Sequence, residues 1–252
     1  MSFMPGMFPG GVAMARGFAP ACLFNGADER IARTPSVATS DRTQFTWNFW
    51  IFVNSIPANQ VGLHQAFQAA NGGGIVLSNG GFMNYVSVQA GSTNGGANSP
   101  IGAVVTGVWQ NWHIEYDTAL AAADRVKMWL NGTSVSVTTG TAPTGSNTNL
   151  GTTNPHHIGY NPNISSFYDG YMARFHWIDG AIVPISNFGH FEGSQWISNL
   201  PNSAFSYDAN GFFLDFLDAS NLGNDAGPNG ADQTLTNIDS TNYLANGPPR
   251  TS

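Results

Sequence analysis

FYDGYMARFHWIDG, residues Phe167 to Gly180, fixes the architecture more than any other stretch of the chain. Tyr168-Asp169-Gly170 reads as a turn, because Asp can bond its own backbone and Gly tolerates a positive φ. Tyr171, Ala173, Phe175 and Trp177 then alternate with Met172, Arg174, His176 and Ile178. Period two with aromatic content predicts a strand. Asp179-Gly180 closes it as a tight turn. Both alternating sets carry bulk, so the strand is expected to be covered on both sides, as the centre of a β-sandwich.

Working outward, FTWNFWIFV (Phe45 to Val53) is the most apolar run and alternates with the same period. Ala21 to Phe24 leads into an Asn25-Gly26 turn, and WQNWHIEYD (Trp109 to Asp117) reads as another strand. Arg125 to Leu130, Asn131-Gly132 and Thr133 to Thr138 predict a hairpin with a two-residue turn. Weaker strands are expected at Ile75 to Leu77, Phe82 to Val88, His156 to Tyr160 and Gly211 to Phe216. The NGGG, SNGG and GSTNGGANSP segments are expected to be turns and a flexible loop, and residues 184–210 to be irregular. No helix of three turns is predicted. The fold class is therefore all-β, a two-sheet antiparallel jelly-roll sandwich. Its expected organisation is an N-terminal assembly arm over 1–20, the sandwich over 21–217 and an irregular C-terminal tail over 218–252.

The 252 residues are 42% hydrophobic but only 9% charged, with 30 Gly. Solubility must come from Asn, Ser, Thr and Gly, which suits sheets, turns and buried subunit contacts rather than surface helices. A formal net charge of -7 with eight scattered Lys and Arg argues against nucleic acid as a partner. Cys22 is the single cysteine, so no intrachain disulfide can form, and it reads as a small buried apolar residue. No apolar run approaches a membrane span, so no membrane insertion is expected, and Gly and Pro break up any signal-peptide layout. Residues 1–20 mix Met, Phe, Gly and Pro without period. Such an arm cannot build its own core and is expected to be held by a neighbouring subunit or by the domain's own flank.

Taken together these landmarks resemble the concanavalin A-like (laminin G-like) jelly roll over roughly residues 21–235. More closely, the chain resembles laminin G-like proteins of tailed bacteriophages. The motifs that carry this are Gly170-Tyr171 with Ile178-Asp179-Gly180, then Phe188-Gly189, then GFFLDFLDASNLGNDAGPNG from Gly211 to Gly230. Pro228 departs from that pattern by stiffening a loop that is usually more open. The resemblance implies a virion structural or adhesion protein, made in the bacterial host cytoplasm. The expected role is capsid decoration or a head fibre, acting through subunit contacts and host-surface glycans. Its expected partners are copies of itself (a trimer would suit capsid three-fold positions) and the major capsid protein. A tail-fibre or receptor-binding protein and a free carbohydrate-binding lectin are the alternatives.

The same jelly roll hosts glucanases, so glycoside hydrolysis is the enzymatic alternative. It needs two carboxylates flanking the scissile bond. Glu115-Tyr116-Asp117 begins a suitable spacing, but Leu120 stands where the second Glu would fall, so no enzyme is expected. His156 and His157 are adjacent on a strand and point to opposite faces, so they cannot share one ion. His113 and His176 are expected to be satisfied within the core. Asp218, Asn221, Asp225 and Asp232 offer hard oxygens for calcium, which laminin G-like domains often bind at a rim, and the same residue types also make tight turns. Glycan binding needs an exposed aromatic platform with amide and carboxylate hydrogen bonds. The candidates are Tyr160, Asn161, Asn163, Phe167, Tyr168 and Trp196.

Overall fold

The computed structural model describes residues 17–39, 41–68, 71–89, 92–141, 149–200 and 205–251. The expected arm lies outside them as far as residue 16. Within the described residues, two antiparallel eight-stranded sheets form the sandwich. The first runs in the order Thr133–Val135, Val126–Leu130, Trp109–Asp117, Gln44–Val53, Asp169–Asp179, Ala21–Asn25 and Tyr243–Leu244. Phe212–Leu214 also pairs with the far half of Asp169–Asp179. The second runs Thr138–Thr139, Ser92–Asn98, Phe82–Gln89, Asn71–Ser78, Val61–Gln68, His156–Ile158, Arg30–Arg33 and Thr234–Thr236.

The expected alternation holds throughout Gln44–Val53. Phe45, Trp47, Phe49, Ile51 and Val53 enter the core between the sheets, against Leu63, Ile75, Leu77, Met83 and Tyr85 of the second sheet. Phe49 stacks on Phe175 with ring centroids 4.9 Å apart, and Tyr85 stacks on Tyr116 across the sheets at 4.9 Å. Each such ring contributes on the order of 2–3 kcal/mol by leaving water, so the first sheet is held mainly by aromatic burial. The hairpin at Asn131-Gly132 also forms as expected. Both residues have positive φ (48° and 78°), the geometry of the primed turn that matches strand twist.

The central strand departs from strict period two. It begins already at Asp169, and its register with Gln44–Val53 slips between Ala173 and His176. Arg174 sits in the slip with φ 47°, a β-bulge that inserts one residue. Met172 therefore shares the inner core with Phe175 and Trp177, while Tyr171 and Ala173 pack on the outer face. Beyond the bulge His176 and Ile178 face outward, against Phe188, Tyr207 and Phe213. Burial on both faces is observed, with the phase reversed midway.

The outer cover is a small four-stranded sheet, Gly17–Phe18, Pro249–Arg250, Gln195–Ser198 and Gly189–Glu192. Trp196 from this sheet meets Trp50, and Trp50 Nε1 donates to Ser198 Oγ at 2.7 Å. Residues 184–200 are thus more ordered than the irregular reading of 184–210 implied. The tail reading is corrected in the same way: Thr234–Thr236, Tyr243–Leu244 and Pro249–Arg250 add strands to the second, first and small sheets respectively. At the other end of the chain, Gly17–Phe18 pairs with Pro249–Arg250 and Ala19 is fully buried, so the last residues of the expected arm are part of the fold.

Two glycine-rich segments read as turn and loop are strands, Asn71–Ser78 and Ser92–Asn98. In the first, the Phe67 ring lies over Gly72, where an added Cβ would sit 2.0 Å from a ring carbon. Glycine here makes room for a cross-strand aromatic instead of turning the chain.

Candidate functional site

Strands Ala21–Asn25 and Gln44–Val53 end where Asp169–Asp179 begins, with Asp169 opposite Asn25 and Gly170 opposite Val53. Their exit loops and the small hairpin of Tyr160–Asn161 and Ser166–Phe167 therefore gather at one end of the sandwich. Between them lies a groove of about 490 Å³, lined by Asn25, Ser55, Pro57, Ser166, Phe167 and Asp169 among others. Asp169 Oδ1 accepts from Asn54 Nδ2 at 3.0 Å and Oδ2 from Ser55 Oγ at 2.6 Å, which fixes the carboxylate at the wall. The Phe167 ring packs on Tyr160 at 4.7 Å, and the Arg30 guanidinium lies over Tyr160 at 5.0 Å. Ile164 projects from the hairpin tip, half exposed. The groove thus offers an aromatic edge, hydroxyls, amides and one carboxylate.

The expected ligand residues divide between this groove and the packing. Tyr160 is half-buried and buttresses Phe167, and Asn163 is exposed on the hairpin. Asn161 is buried, and its Oδ1 accepts from the Asn163 backbone at 3.1 Å, so it shapes the turn. Tyr168 is corrected. Only its edge reaches the groove; the ring is buried edge-on to Phe24, and the hydroxyl donates toward Phe52 O at 3.1 Å. It cannot serve as a sugar platform. Trp196 is corrected as well: it is 6% exposed, lies under the small sheet and donates from Nε1 to Asn111 Oδ1 at 3.0 Å. Ser55 and Asp169 line the groove without having been among the sequence candidates. The only sign in the sequence was their position at the edges of the two strongest strand runs.

The calcium reading of residues 218–232 meets a different arrangement. Asp218 Oδ1 accepts from the Ser220 backbone and hydroxyl, and these bonds hold its carboxyl below the usual range. Asn221 Oδ1 accepts from Gly223 N at 3.2 Å. Asp225 receives the backbone N–H groups of Phe213, Gly227 and Ala231, and Asp232 receives that of Asp225. These four are directed at turns. Among the described residues no group of three or more His, Cys, Asp or Glu side chains is placed to hold a metal.

The histidines serve packing. Trp47 Nε1 donates to His64 Nδ1 at 2.9 Å, which leaves the His64 proton on Nε2, 3.0 Å from His156 Nδ1. His156 then carries its proton on Nε2. Burial pushes His64 well below the ordinary histidine range and His156 down to about 3. His113 Nε2 lies 3.1 Å from Glu115 Oε1, so Glu115 is a pairing residue rather than a free solvent-facing one. His176 stacks on Phe213 at 3.8 Å and its Nδ1 meets the Tyr207 hydroxyl at 2.7 Å.

A two-sheet jelly roll with a polar, aromatic-edged groove at one end defines a lectin-like sandwich. A family model described as the concanavalin A-like lectin/glucanases superfamily matches residues 25–184, and the chain belongs to that superfamily. Among solved structures it is similar to a putative carbohydrate binding protein from Bacteroides ovatus, at 14% identity and a TM-score of 0.62. That match covers 93% of this chain and 62% of the other, so this chain spans less than two thirds of its length. It is also similar to the mouse laminin alpha1 chain, domains LG4-5, at 14% identity and a TM-score of 0.45, covering 64% of this chain and 41% of that one. At such identities the likeness establishes the fold alone. No curated protein matches the sequence.

Proposed function

We propose that the protein is a non-enzymatic carbohydrate-binding module that takes a glycan into the groove beside Phe167. The observation that carries this is the Phe167–Tyr160 ring pair set next to Asp169 and Ser55, an apolar sugar-facing edge with hydrogen-bonding groups within reach. The superfamily and the likeness to the putative carbohydrate binding protein from Bacteroides ovatus support the same reading. Binding is favoured over hydrolysis because Asp169 is the one carboxylate in the groove lining, and glycoside cleavage uses two. Phe167→Ala is expected to weaken a bound glycan at least about tenfold while leaving the melting temperature nearly unchanged, since the ring is half-buried. Calorimetric titration with neutral oligosaccharides chosen from a glycan array tests this. Failure of the wild type to bind any of them, or an unaffected Phe167→Ala variant, would sink the proposal.

The finer reading is a decoration or head-fibre component of a tailed bacteriophage, a homo-oligomer attached to the capsid. It is supported by the motif pattern from Gly170 to Gly230 and by Phe18 and Leu200, each 48% exposed beside the small sheet that the arm leads into. Because Gly17 to Ala19 belong to the fold, the informative truncation removes residues 1–16 only. That variant is expected to keep glycan affinity and lose higher-order assembly, read by light scattering. An unchanged assembly state would count against the arm's role.

A further inference from the structure

Asn followed by Gly is the dipeptide at which a chain most readily modifies itself. The glycine nitrogen can attack the asparagine side-chain carbon, because no Cβ on the second residue stands in the way. The dipeptide recurs along this sequence, and the fold disarms most of the copies whose side chains are described. Asn25 Oδ1 accepts from the backbone N–H groups of Ala27 and Asp28, and the Gly26 N–H is donated to Tyr168 O at 3.0 Å. Asn131 Oδ1 accepts from the Asn111 N–H at 2.8 Å, and Asn229 Nδ2 donates to Gly211 O at 3.0 Å. Asn210 is buried, and the Gly211 N–H after it is donated to Tyr207 O at 2.9 Å. After Asn246, the Gly247 N–H goes to Ala19 O at 2.8 Å. Gly72, which follows Asn71, lies in a strand paired on both sides.

Asn79-Gly80 is different. The pair stands at the tip of the hairpin between Asn71–Ser78 and Phe82–Gln89, and both residues are exposed. The turn is closed by the Gly81 N–H to Ser78 O at 3.1 Å, and the Gly102 N–H donates to Gly80 O at 2.9 Å. Neither bond engages the peptide group that joins Asn79 to Gly80. Among the described residues, the Asn79 side-chain amide and the Gly80 N–H have no hydrogen-bond partner. A side chain free to rotate is therefore next to an uncommitted nitrogen.

We propose that Asn79 is a self-modification site, converted without an enzyme to aspartate and isoaspartate. Hydroxide takes the Gly80 N–H proton, and that nitrogen forms a bond to Asn79 Cγ. The Cγ–Nδ2 bond breaks, and Nδ2 leaves with a proton from water as ammonia. The product is a succinimide ring, which water then opens. Cleavage between Cγ and the Gly80 nitrogen restores the normal backbone and leaves an aspartate side chain. Cleavage between that nitrogen and the Asn79 backbone carbonyl carbon sends the chain through Cβ and Cγ as isoaspartate. Overall one water enters and one ammonia leaves, and either product adds a negative charge. Isoaspartate also lengthens the backbone inside the turn, which loosens the Gly81–Ser78 and Gly102–Gly80 bonds. This inference does not depend on glycan binding.

The test incubates the folded full chain at mildly alkaline pH and follows each asparagine by peptide mapping and mass spectrometry. An isoaspartate-specific methyltransferase gives the second readout. Asn79 should convert at least about fivefold faster than Asn131, which must first give up a hydrogen bond. In urea that advantage should vanish, because every copy is then free. Isoelectric focusing should show a more acidic band growing with time in the wild type and missing from Asn79→Gln, whose longer side chain closes the ring poorly. The separated isoaspartate chain should exchange its Gly81 and Gly102 amide protons faster than the unmodified chain. Asn79 that stays amidated while Asn25 or Asn131 converts overturns the proposal. So does conversion to aspartate with no isoaspartate, or an advantage that persists in urea. Unchanged exchange at both amides overturns the loosening of the turn.

Discussion

Gly74→Ala is expected to destabilise the protein by more than about 3 kcal/mol, enough to leave a large unfolded fraction in mild urea. Gly74 has φ 142°, and a Cβ there would stand 2.0 Å from the His64 carbonyl oxygen and 2.9 Å from Gln65 Cα. Both obstacles are backbone of the paired strand Val61–Gln68, so no rotamer change relieves the clash. The strands must part, and His64 moves with them, loosening its bonds to Trp47 and His156. Gly102→Ala provides the comparison. Its φ is 75° with nothing within 4 Å, so it should cost only about 1 kcal/mol, the conformational part alone. Urea unfolding of the two variants separates steric from conformational cost. Equal midpoints would mean that the sheet yields at Gly74.

The same strand marks how far the sequence can be read. Gln44–Val53, Trp109–Asp117 and the Asn131-Gly132 hairpin were legible because each signal is local: uninterrupted alternation, or a turn dipeptide of one conformation. The first half of Asn71–Ser78 was not, because its glycines are dictated by Phe67 and His64 on another strand, a contact that no window along the chain contains. The bulge at Arg174 was hidden for the opposite reason. Its residues alternate well in either phase, and only the pairing partner reveals the slip. The short strands of the tail exist by joining sheets already formed, so turn-forming residues there misled a propensity reading.

The candidate site divided along similar lines. Residue type put Tyr160 and Phe167 among the glycan candidates, and the structure packs their two rings together across the small hairpin. Residue type could not tell that Tyr168, the next residue, turns inward, because strand pairing begins at Asp169 and sets the direction of the side chain before it. Asp179 was read only as half of a turn. Its burial depends on loops more than 25 residues away on either side, so it is a tertiary fact.

Acid should unfold this protein early, with stability falling from about pH 6.5 downward and most steeply below about pH 5.5. His64 and His176 are held well below the ordinary histidine range and His156 at about 3, each chiefly by burial; Arg174 adds to the effect at His176 and Arg33 at His156. His113 is lowered too, with Glu115 opposing. A depressed histidine binds its proton only in the unfolded chain, so stability falls as pH drops below the unfolded value of about 6.5. Each such group lowers stability by up to about 1.4 kcal/mol per pH unit once its imidazole is protonated in the unfolded chain alone. Asp179 works in the other direction. Its raised carboxyl takes up a proton in the folded state between about 7 and the unfolded range near 4, which returns stability on acidification and offsets roughly one histidine. The histidines prevail by number, and the net uptake on unfolding near pH 5.5 should be about two protons. Urea midpoints measured from pH 7.5 to pH 4.5 give that number as a slope. A flat profile over this range would mean that the buried imidazoles are charged in the folded state, against the Trp47–His64–His156 relay of neutral rings. In Asp179→Asn the compensating proton is absent, so its profile should fall more steeply than that of the wild type, by close to one proton.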